Sequence, residues 1–296
     1  MAALVPPPLQ SGNTIGVMAP SSYVERDNIE ASKTVLESLG YEVFIHPQTY
    51  ARHHQSAGTT HDKLSAFHDL WARPDIHAVW MAGGGNRALY MLPHLDYDLI
   101  RAHPKPLIGF SDGTALLNAV TARAGLVTTH ANLFKNLHKS AVLTETLSLL
   151  SGAPVSMPLE QATVIQNGTV SGPLAGGCLS LFHLLCGTPY APPLEGAILF
   201  LEDSGDHISR YDRMLADMAL HGVFQKISGL ILGEFHDMQD SARPFGYSLT
   251  DCILEGIAGR NIPVLSNAPF GHGPHRFPLS VGGQATLDTT ARLLRY

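Results

Sequence analysis

The sequence predicts an α/β protein in two parts, a parallel sheet covered by helices on both faces followed by a smaller domain that mixes strands and helices. Three observations predict it. Between Thr14 and His130, short apolar runs alternate with amphipathic runs of helical period, the order that gives parallel strands joined by crossover helices. Turns rich in glycine and serine follow three of those strands, at the strand ends where the functional loops of such sheets gather. From about Leu149 to Gly172 the alternation loosens, with Gly152-Ala-Pro154 and Pro158 interrupting it. The domain boundary is placed in that stretch, dividing the chain into 1–158 and 159–296. A length of 296 residues suits two domains of ordinary size.

Taken in order, Thr14–Ala19 is an apolar strand ending in Pro20-Ser-Ser22. Asp27–Leu39 is a helix with Ile29, Val35, Leu36 and Leu39 inward and Gly40 as its stop. Tyr41–His46 alternates as a strand does, Thr60–Arg73 is a capped amphipathic helix, and His77–Met81 is a strand. Gly83-Gly-Gly-Asn86 opens a helix near Arg87. Pro106–Phe110 is a buried strand, Thr114–Arg123 a helix, and Val127–His130 a further strand. In the second half, Gly172-Pro173 and Gly176-Gly177 precede an apolar helix, Leu179–Leu185. Gly196–Asp203 is a buried strand ending in two carboxylates, and Asp206 is placed to cap a helix from His207 to Leu220. Gly229–Phe235 is a strand, Leu249–Ala258 a helix and Pro263–Leu265 a short strand. Phe277–Val281, Gly282-Gly283 and Gln284–Asp288 form a hairpin.

Composition narrows the function classes. A net charge of −6 without a basic block argues against nucleic acid as a partner. No run approaches the ~18 apolar residues of a membrane span. The N-terminus lacks the basic region and long apolar core of a signal peptide. Cys178, Cys186 and Cys252 are odd in number and without metal-ligand spacing, which suits a reducing compartment. Sixteen histidines are many, and His53, His54, His61 and His68 fall close together, but no spacing among them matches a zinc motif. No metal or cofactor is expected.

Chemistry concentrates at Gly109-Phe-Ser111-Asp-Gly113, a G-x-S-x-G pattern between a strand and a helix. Such a turn exposes its serine hydroxyl over a helix N-terminus, where backbone N–H groups can hold an oxyanion. A serine before a helix is also an ordinary N-cap, and pattern and context leave the two readings level. Gly83-Gly-Gly-Asn86 lacks the spacing and the lysine of a nucleotide loop. It serves either as a plain turn or as a close backbone approach that supplies an oxyanion donor. A serine nucleophile needs an imidazole and an acid to orient it. His272 stands between glycines in Phe270-Gly-His-Gly-Pro274, and Glu202 and Asp203 end the Gly196 strand. A solvated loop histidine and turn-capping carboxylates are the plainer readings of both.

Together these motifs resemble those of the LD-carboxypeptidase (muramoyltetrapeptide carboxypeptidase) family. The resemblance lies in Gly-Phe-Ser111-Asp, Leu-Glu202-Asp and Phe-Gly-His272-Gly, in that order. It extends to Leu95-Asp-Tyr-Asp-Leu-Ile, His103-Pro-Lys-Pro-Leu-Ile-Gly, Leu185-Cys-Gly-Thr-Pro-Tyr and Tyr211-Asp-Arg-Met-Leu, and runs from Gly12 to near the C-terminus. It implies a flavodoxin-like first domain, akin to class I glutamine amidotransferases, and a smaller mixed domain supplying Glu and His. It implies a metal-independent cytoplasmic serine peptidase, typically a homodimer, that releases the terminal D-alanine of murein tetrapeptides in cell-wall recycling. Ser111 is then the nucleophile, His272 the base and Glu202 its orienting acid. Backbone N–H groups of Asp112 and the Gly84–Gly85 turn would form the oxyanion hole. A bidentate arginine is the natural reader of a terminal carboxylate, and Arg87, Arg210 and Arg213 are the candidates. Two departures bear on substrate: Gly85-Asn86 where the family usually carries an aromatic residue, and His130-Ala-Asn132 where His-Gly-Pro is common. The alternatives are a microcin-immunity-type amidase of the same family, for which the two tryptophans, Trp71 and Trp80, offer no evident nucleobase platform, and a murein-peptide-binding protein without catalysis.

Overall fold

The computed structural model describes residues 3–296 and divides into two compact units. One holds the residues up to Pro154 together with Pro278–Gly283, and the other holds Val155–Phe277 and Gln284–Tyr296.

The first unit is built on β1 (Thr14–Met18), α1 (Arg26–Ser38), β2 (Glu42–Ile45), α2 (Thr60–Ala72), β3 (Ala78–Met81), α3 (Tyr97–Ala102), β4 (Leu107–Gly109), α4 (Thr114–Ala124), β5 (Thr128–His130) and α5 (Leu143–Leu150). The first five strands lie in the order β2-β1-β3-β4-β5, each parallel to its neighbours. Helices cover both faces because successive strand residues point to opposite sides. Ile15 and Val17 of β1 share a core with Ile29 and Leu36 of α1. Gly16 between them faces α2, and a Cβ there would stand 2.9 Å from Leu70 Cδ2. α2 begins with a capping box in which Thr59 and Asp62 satisfy each other's backbone donors. α4 is buried on nearly every side, more deeply than a helix with one apolar face, and Gly125 ends it in the left-handed conformation at φ 70°. The segment after Gly83–Asn86 forms a 3-10 helix, Ala88–His94, with Pro93 inside it.

The second unit contains β6 (Ser156–Pro158), β7 (Thr163–Gln166), β8 (Thr169–Cys178), α6 (Leu179–Phe182), β9 (Ile198–Ser204), α7 (Ile208–Leu220), α8 (Val223–Lys226), β10 (Gly229–His236), α9 (Leu249–Gly256) and β11 (Val264–Ser266). β8, β9, β10 and β11 run parallel in that order, and β7 closes the far edge antiparallel to β11. After β12 (Leu279–Val281), the chain ends with β13 (Gln284–Asp288) and β14 (Leu293–Arg295). β13 pairs with β8 and β14, and β14 with β6, all antiparallel. The core of this unit joins Leu199 and Leu201 of β9 and Leu230 and Leu232 of β10 to Tyr211, Leu215, Phe224 and Ile253 from the helices.

Two expectations are corrected. Leu279–Val281 and Gln284–Asp288 do not form a hairpin with each other. β12 pairs antiparallel with β5 in the first unit, while β13 pairs with β8 and β14. Gly282 is left-handed (φ 83°) and Gly283 N–H donates to Ser280 O (3.1 Å), so a turn closes between the two strands without their pairing. Gly172-Pro173 and Gly176-Gly177 precede the helix at Leu179, as expected, and lie inside β8, a strand that the sequence pattern does not show. Glycine is required there by close backbone approach: a Cβ at Gly172 would stand 2.1 Å from Gly196 O, and one at Gly176 only 1.8 Å from Phe200 O. Asp206 does not cap α7. His207 is the N-cap and makes no side-chain cap bond. The Asp206 carboxylate accepts the N–H of the adjacent His207 (2.8 Å) and faces Arg210 (3.4 Å).

Candidate active site

Ser111 is held in a turn that few side chains accept. It follows β4 as the first residue of the 3-10 turn Ser111–Gly113 and has φ 59°. That left-handed conformation costs a non-glycine residue about 1–2 kcal/mol and is characteristic of functional turns. Both flanking glycines are needed for packing as well as for the turn. A Cβ at Gly109 would stand 2.4 Å from Met81 Sδ, and one at Gly113 2.6 Å from it, so the turn can lie directly against β3.

The loops after β1, β3 and β4 meet at this rim of the first unit. Ser22 N–H donates to Gly84 O (3.2 Å). Ser21 Oγ donates to Asp112 Oδ2 (2.6 Å), and Ala88 N–H donates to the same oxygen (2.9 Å). Gly84 passes beside the serine: a Cβ there would stand 3.0 Å from Ser111 Cβ and 3.1 Å from its Oγ. Gly85, at φ 118°, leaves no room for a side chain, since a Cβ would meet Ser22 Oγ at 2.0 Å. Burial pushes the Asp112 carboxyl up, opposed by its bonds from Ser21 and Ala88 and by the charge of Lys63. Asn86 and Arg87 are exposed on this rim, with the Arg87 guanidinium 4.5 Å from the Tyr90 ring centroid.

In the second unit Glu202 and His272 form a tight pair. Glu202 lies near the end of β9 and is wholly buried, and its Oε2 stands 2.7 Å from His272 Nδ1. The other oxygen, Oε1, has no hydrogen-bond partner among the described residues. Burial raises the Glu202 carboxyl above the usual carboxylate range despite the bond and charge of His272. For His272, burial favours the neutral ring, but the bond and charge of Glu202, with the charge of Asp203, outweigh it and raise the imidazole. Gly271, at φ 132°, lets the His272 loop sit against both β9 and β10. A Cβ there would stand 3.2 Å from Glu202 Cβ and 2.8 Å from Glu234 O.

Asp203, next along the strand, turns the other way. Its Oδ2 accepts the Ser180 N–H (2.6 Å) at the start of α6, and Oδ1 accepts the Ser204 N–H (2.8 Å). Beside His272, Arg276 donates to its backbone oxygen (3.3 Å), and His275 Nδ1 pairs with Glu234 Oε1 (2.9 Å).

The sequence profile of the LD-carboxypeptidase N-terminal domain matches residues 15–131, and that of the C-terminal domain matches residues 171–287. The chain belongs to the LD-carboxypeptidase family. The murein tetrapeptide carboxypeptidase of Pseudomonas aeruginosa is 30% identical over 290 residues, covering 93% of this chain and 92% of the relative. The microcin C7 self-immunity protein of Escherichia coli is 28% identical over 328 residues, covering 96% and 93%. Among solved structures, a muramoyltetrapeptide carboxypeptidase from Oxalobacter formigenes matches with a TM-score of 0.85 at 28% identity, covering 96% of this chain and 97% of that one.

Within this family member, the two departures from the expected pattern occupy different settings. Asn86 is on the exposed rim, whereas His130 and Asn132 are buried. The His130 ring packs edge-on against Phe110 (centroids 4.9 Å apart), immediately before the serine. Asn132 Nδ2 donates to Ser140 Oγ (2.8 Å), and its backbone oxygen accepts from Trp80 Nε1 (2.8 Å). Of the three arginines considered, Arg87 is carried by the Gly84–Gly85 loop, while Arg210 and Arg213 lie on α7. Lys63, Glu234, His275 and Arg276 were not anticipated. For Lys63 a signal existed, since it shares the helical face of Ala66, Phe67 and Leu70.

Proposed function

We propose that this protein is a serine LD-carboxypeptidase that removes the terminal D-amino acid from murein tetrapeptides, with Ser111 as nucleophile, His272 as general base and Glu202 as its orienting acid. The observation that carries the reading is the 2.7 Å contact between buried Glu202 and His272 Nδ1. A carboxylate bound at Nδ1 fixes the tautomer whose Nε2 is free to take a hydroxyl proton. Ser111 attacks the scissile carbonyl as His272 takes its proton. His272 then returns that proton to the leaving amine, and water releases the acyl group by the same route. The N–H groups of Asp112 and of the Gly84–Gly85 turn hold the developing oxyanion. The strained φ of Ser111 and the passage of Gly84 beside its hydroxyl support that assignment. The parallel order β2-β1-β3-β4-β5 supports reading the first unit as flavodoxin-like.

The test is mass spectrometry of a murein tetrapeptide incubated with wild type and with Ser111→Ala. Release of one D-alanine by the wild type alone is expected. An active Ser111→Ala, or a wild type inert on every murein peptide, overturns the reading.

A second reading is favoured by one observation. Both tryptophans are wholly buried in the first unit, but Tyr247 is exposed in the loop after β10, its ring 5.5 Å from that of Phe245. An aromatic surface of that kind suits a nucleobase, as a microcin-immunity-type amidase would need. Cleavage of a peptidyl-nucleotide in preference to the tetrapeptide would establish it.

A further inference from the structure

Lys63 has no exposed surface, and lysine is almost never fully buried without a partner. It lies on the inward face of α2 with Ala66, Phe67, Leu70 and Trp71. Its Nζ donates to Ser56 Oγ (3.1 Å), and Ser56 Oγ donates to Ser21 O (3.3 Å). Ser21 Oγ donates in turn to Asp112 Oδ2 (2.6 Å), which also accepts the Ala88 N–H (2.9 Å). A single chain of polar contacts therefore runs from the buried ammonium to the carboxylate of the residue after Ser111. Gln48 anchors the same loops, its side chain bonded to Ala19 N, Ala19 O and Ala57 O.

We propose that Lys63 is a positioning residue for the Ser111 turn: its sealed ammonium, through Ser56 and Ser21, supports the Asp112 carboxylate that ties the loops after β1 and β3 to the turn that carries the nucleophile. The proposal rests on reading Ser111 as that nucleophile. Asp112 holds the tie through a single oxygen that accepts from both loops, and an ionised acceptor makes the stronger bonds. Burial alone would neutralise either group, lowering Lys63 and raising Asp112, and the charge of each opposes the shift of the other. Arg87, at the start of the 3-10 helix, is the other charge that bears on Lys63 and works against its ionisation. An apolar side chain of similar length could fill the space under the turn but could not hold Asp112 charged.

The experiment compares Lys63→Met, Lys63→Arg and Ser111→Ala with wild type, measuring kcat, KM and melting temperature across neutral pH on the peptide that the wild type hydrolyses. Lys63→Met is expected to lose roughly 10- to 100-fold in kcat with KM little changed, the signature of a misplaced reacting group. Without its cation Asp112 protonates at higher pH, so the loss deepens as pH falls. Lys63→Arg keeps the charge and recovers most of kcat. A Lys63→Met enzyme with wild-type kcat, a loss independent of pH, or a loss that arginine does not relieve overturns the proposal. If Lys63→Met does not fold, Lys63→Met/Asp112→Asn leaves no lone buried charge. A folded double variant whose kcat is below wild type by a factor that does not change with pH supports the proposal, and one with wild-type kcat overturns it. An active Ser111→Ala removes the functional reading itself. An inactive Ser111→Ala beside an unaffected Lys63→Met removes only the role of Lys63.

Discussion

Glu202 and Asp203 are adjacent on β9, and replacing each carboxylate by its amide separates a chemical role from a structural one. Glu202→Gln keeps the shape of a wholly buried side chain whose Oε2 stands 2.7 Å from His272 Nδ1. It removes the charge that stabilises the imidazolium, and its NH2 can meet Nδ1 as a donor, favouring the tautomer that cannot take the serine proton. In a well-studied Ser-His-Asp triad the same change lowers kcat by about 10⁴-fold, roughly 5 kcal/mol of barrier. We expect a loss of that order, with KM near wild type. The melting temperature should hold or rise, because burial already disfavours the charge that is removed. Asp203→Asn should show the opposite profile. One of the backbone N–H groups of Ser180 and Ser204 then faces a donor in place of an oxygen. An unsatisfied buried donor costs about 1–3 kcal/mol, which reads as a fall of several degrees in melting temperature with kcat near wild type. The pH profile adds an independent check. His272 is raised in the folded protein, and a general base must be neutral, so kcat/KM of the wild type should fall off on the acid side above the ordinary imidazole value of about 6.5. Glu202→Gln removes the largest interaction raising it, and the residual activity should show that limb at lower pH. An inactive Asp203→Asn beside an active Glu202→Gln, or a limb that does not move, refutes the reasoning.

Gly84→Ala places a Cβ 3.0 Å from Ser111 Cβ, a contact relieved only by moving the loop or the serine. Its kcat should drop by about 100-fold, the cost of a misplacement on the order of 1 Å, while circular dichroism and melting stay close to wild type. Gly176→Ala drives a Cβ to 1.8 Å from Phe200 O inside the parallel pair β8–β9. Backbone cannot yield there, so the variant should lose more than about 4 kcal/mol in chemical denaturation or be recovered only as insoluble protein. Exhaustive chelation should leave turnover intact, because among the described residues no three His, Cys, Asp or Glu side chains converge as metal ligands do. Loss of activity that zinc restores would contradict the serine mechanism.

The parallel strands of the first unit were legible because each is a short apolar run, three of them leading into helical segments of period 3.6 at α1, α2 and α4, and tertiary packing agrees with that local pattern. β8 was not, since its glycines carry the statistics of turns. Their need arises from Gly196 O and Phe200 O, atoms distant in sequence. β12 was seen as a strand, but its partner was misassigned, because the favoured pairing of a run next to Gly-Gly is local and the actual one is with β5. The candidate residues stood out in the sequence by their unusual company: a serine between glycines, a histidine between glycines, and carboxylates closing an apolar strand. Lys63 escaped because its neighbours in sequence, His61 and Asp62, are exposed. Its burial is evident only when residues three and four positions apart are read as one face.

The return of Pro278–Gly283 to the first unit bears on how the chain folds as it leaves the ribosome. β5 pairs with β4 through its Ile108–Thr129 and Gly109–His130 register, and its antiparallel neighbour β12 is encoded some 150 residues later. At roughly 5–20 residues per second, that interval is on the order of ten seconds or more. During it, the nascent first unit has an unpaired strand edge beside the Ser111 turn, the kind of edge that templates intermolecular pairing. Unit one is therefore finished only when unit two has been almost completely synthesised. A fragment ending near Pro154 would carry the same open edge permanently, and soluble expression of the nucleophile-bearing half should depend on supplying Pro278–Gly283 in cis or as a peptide.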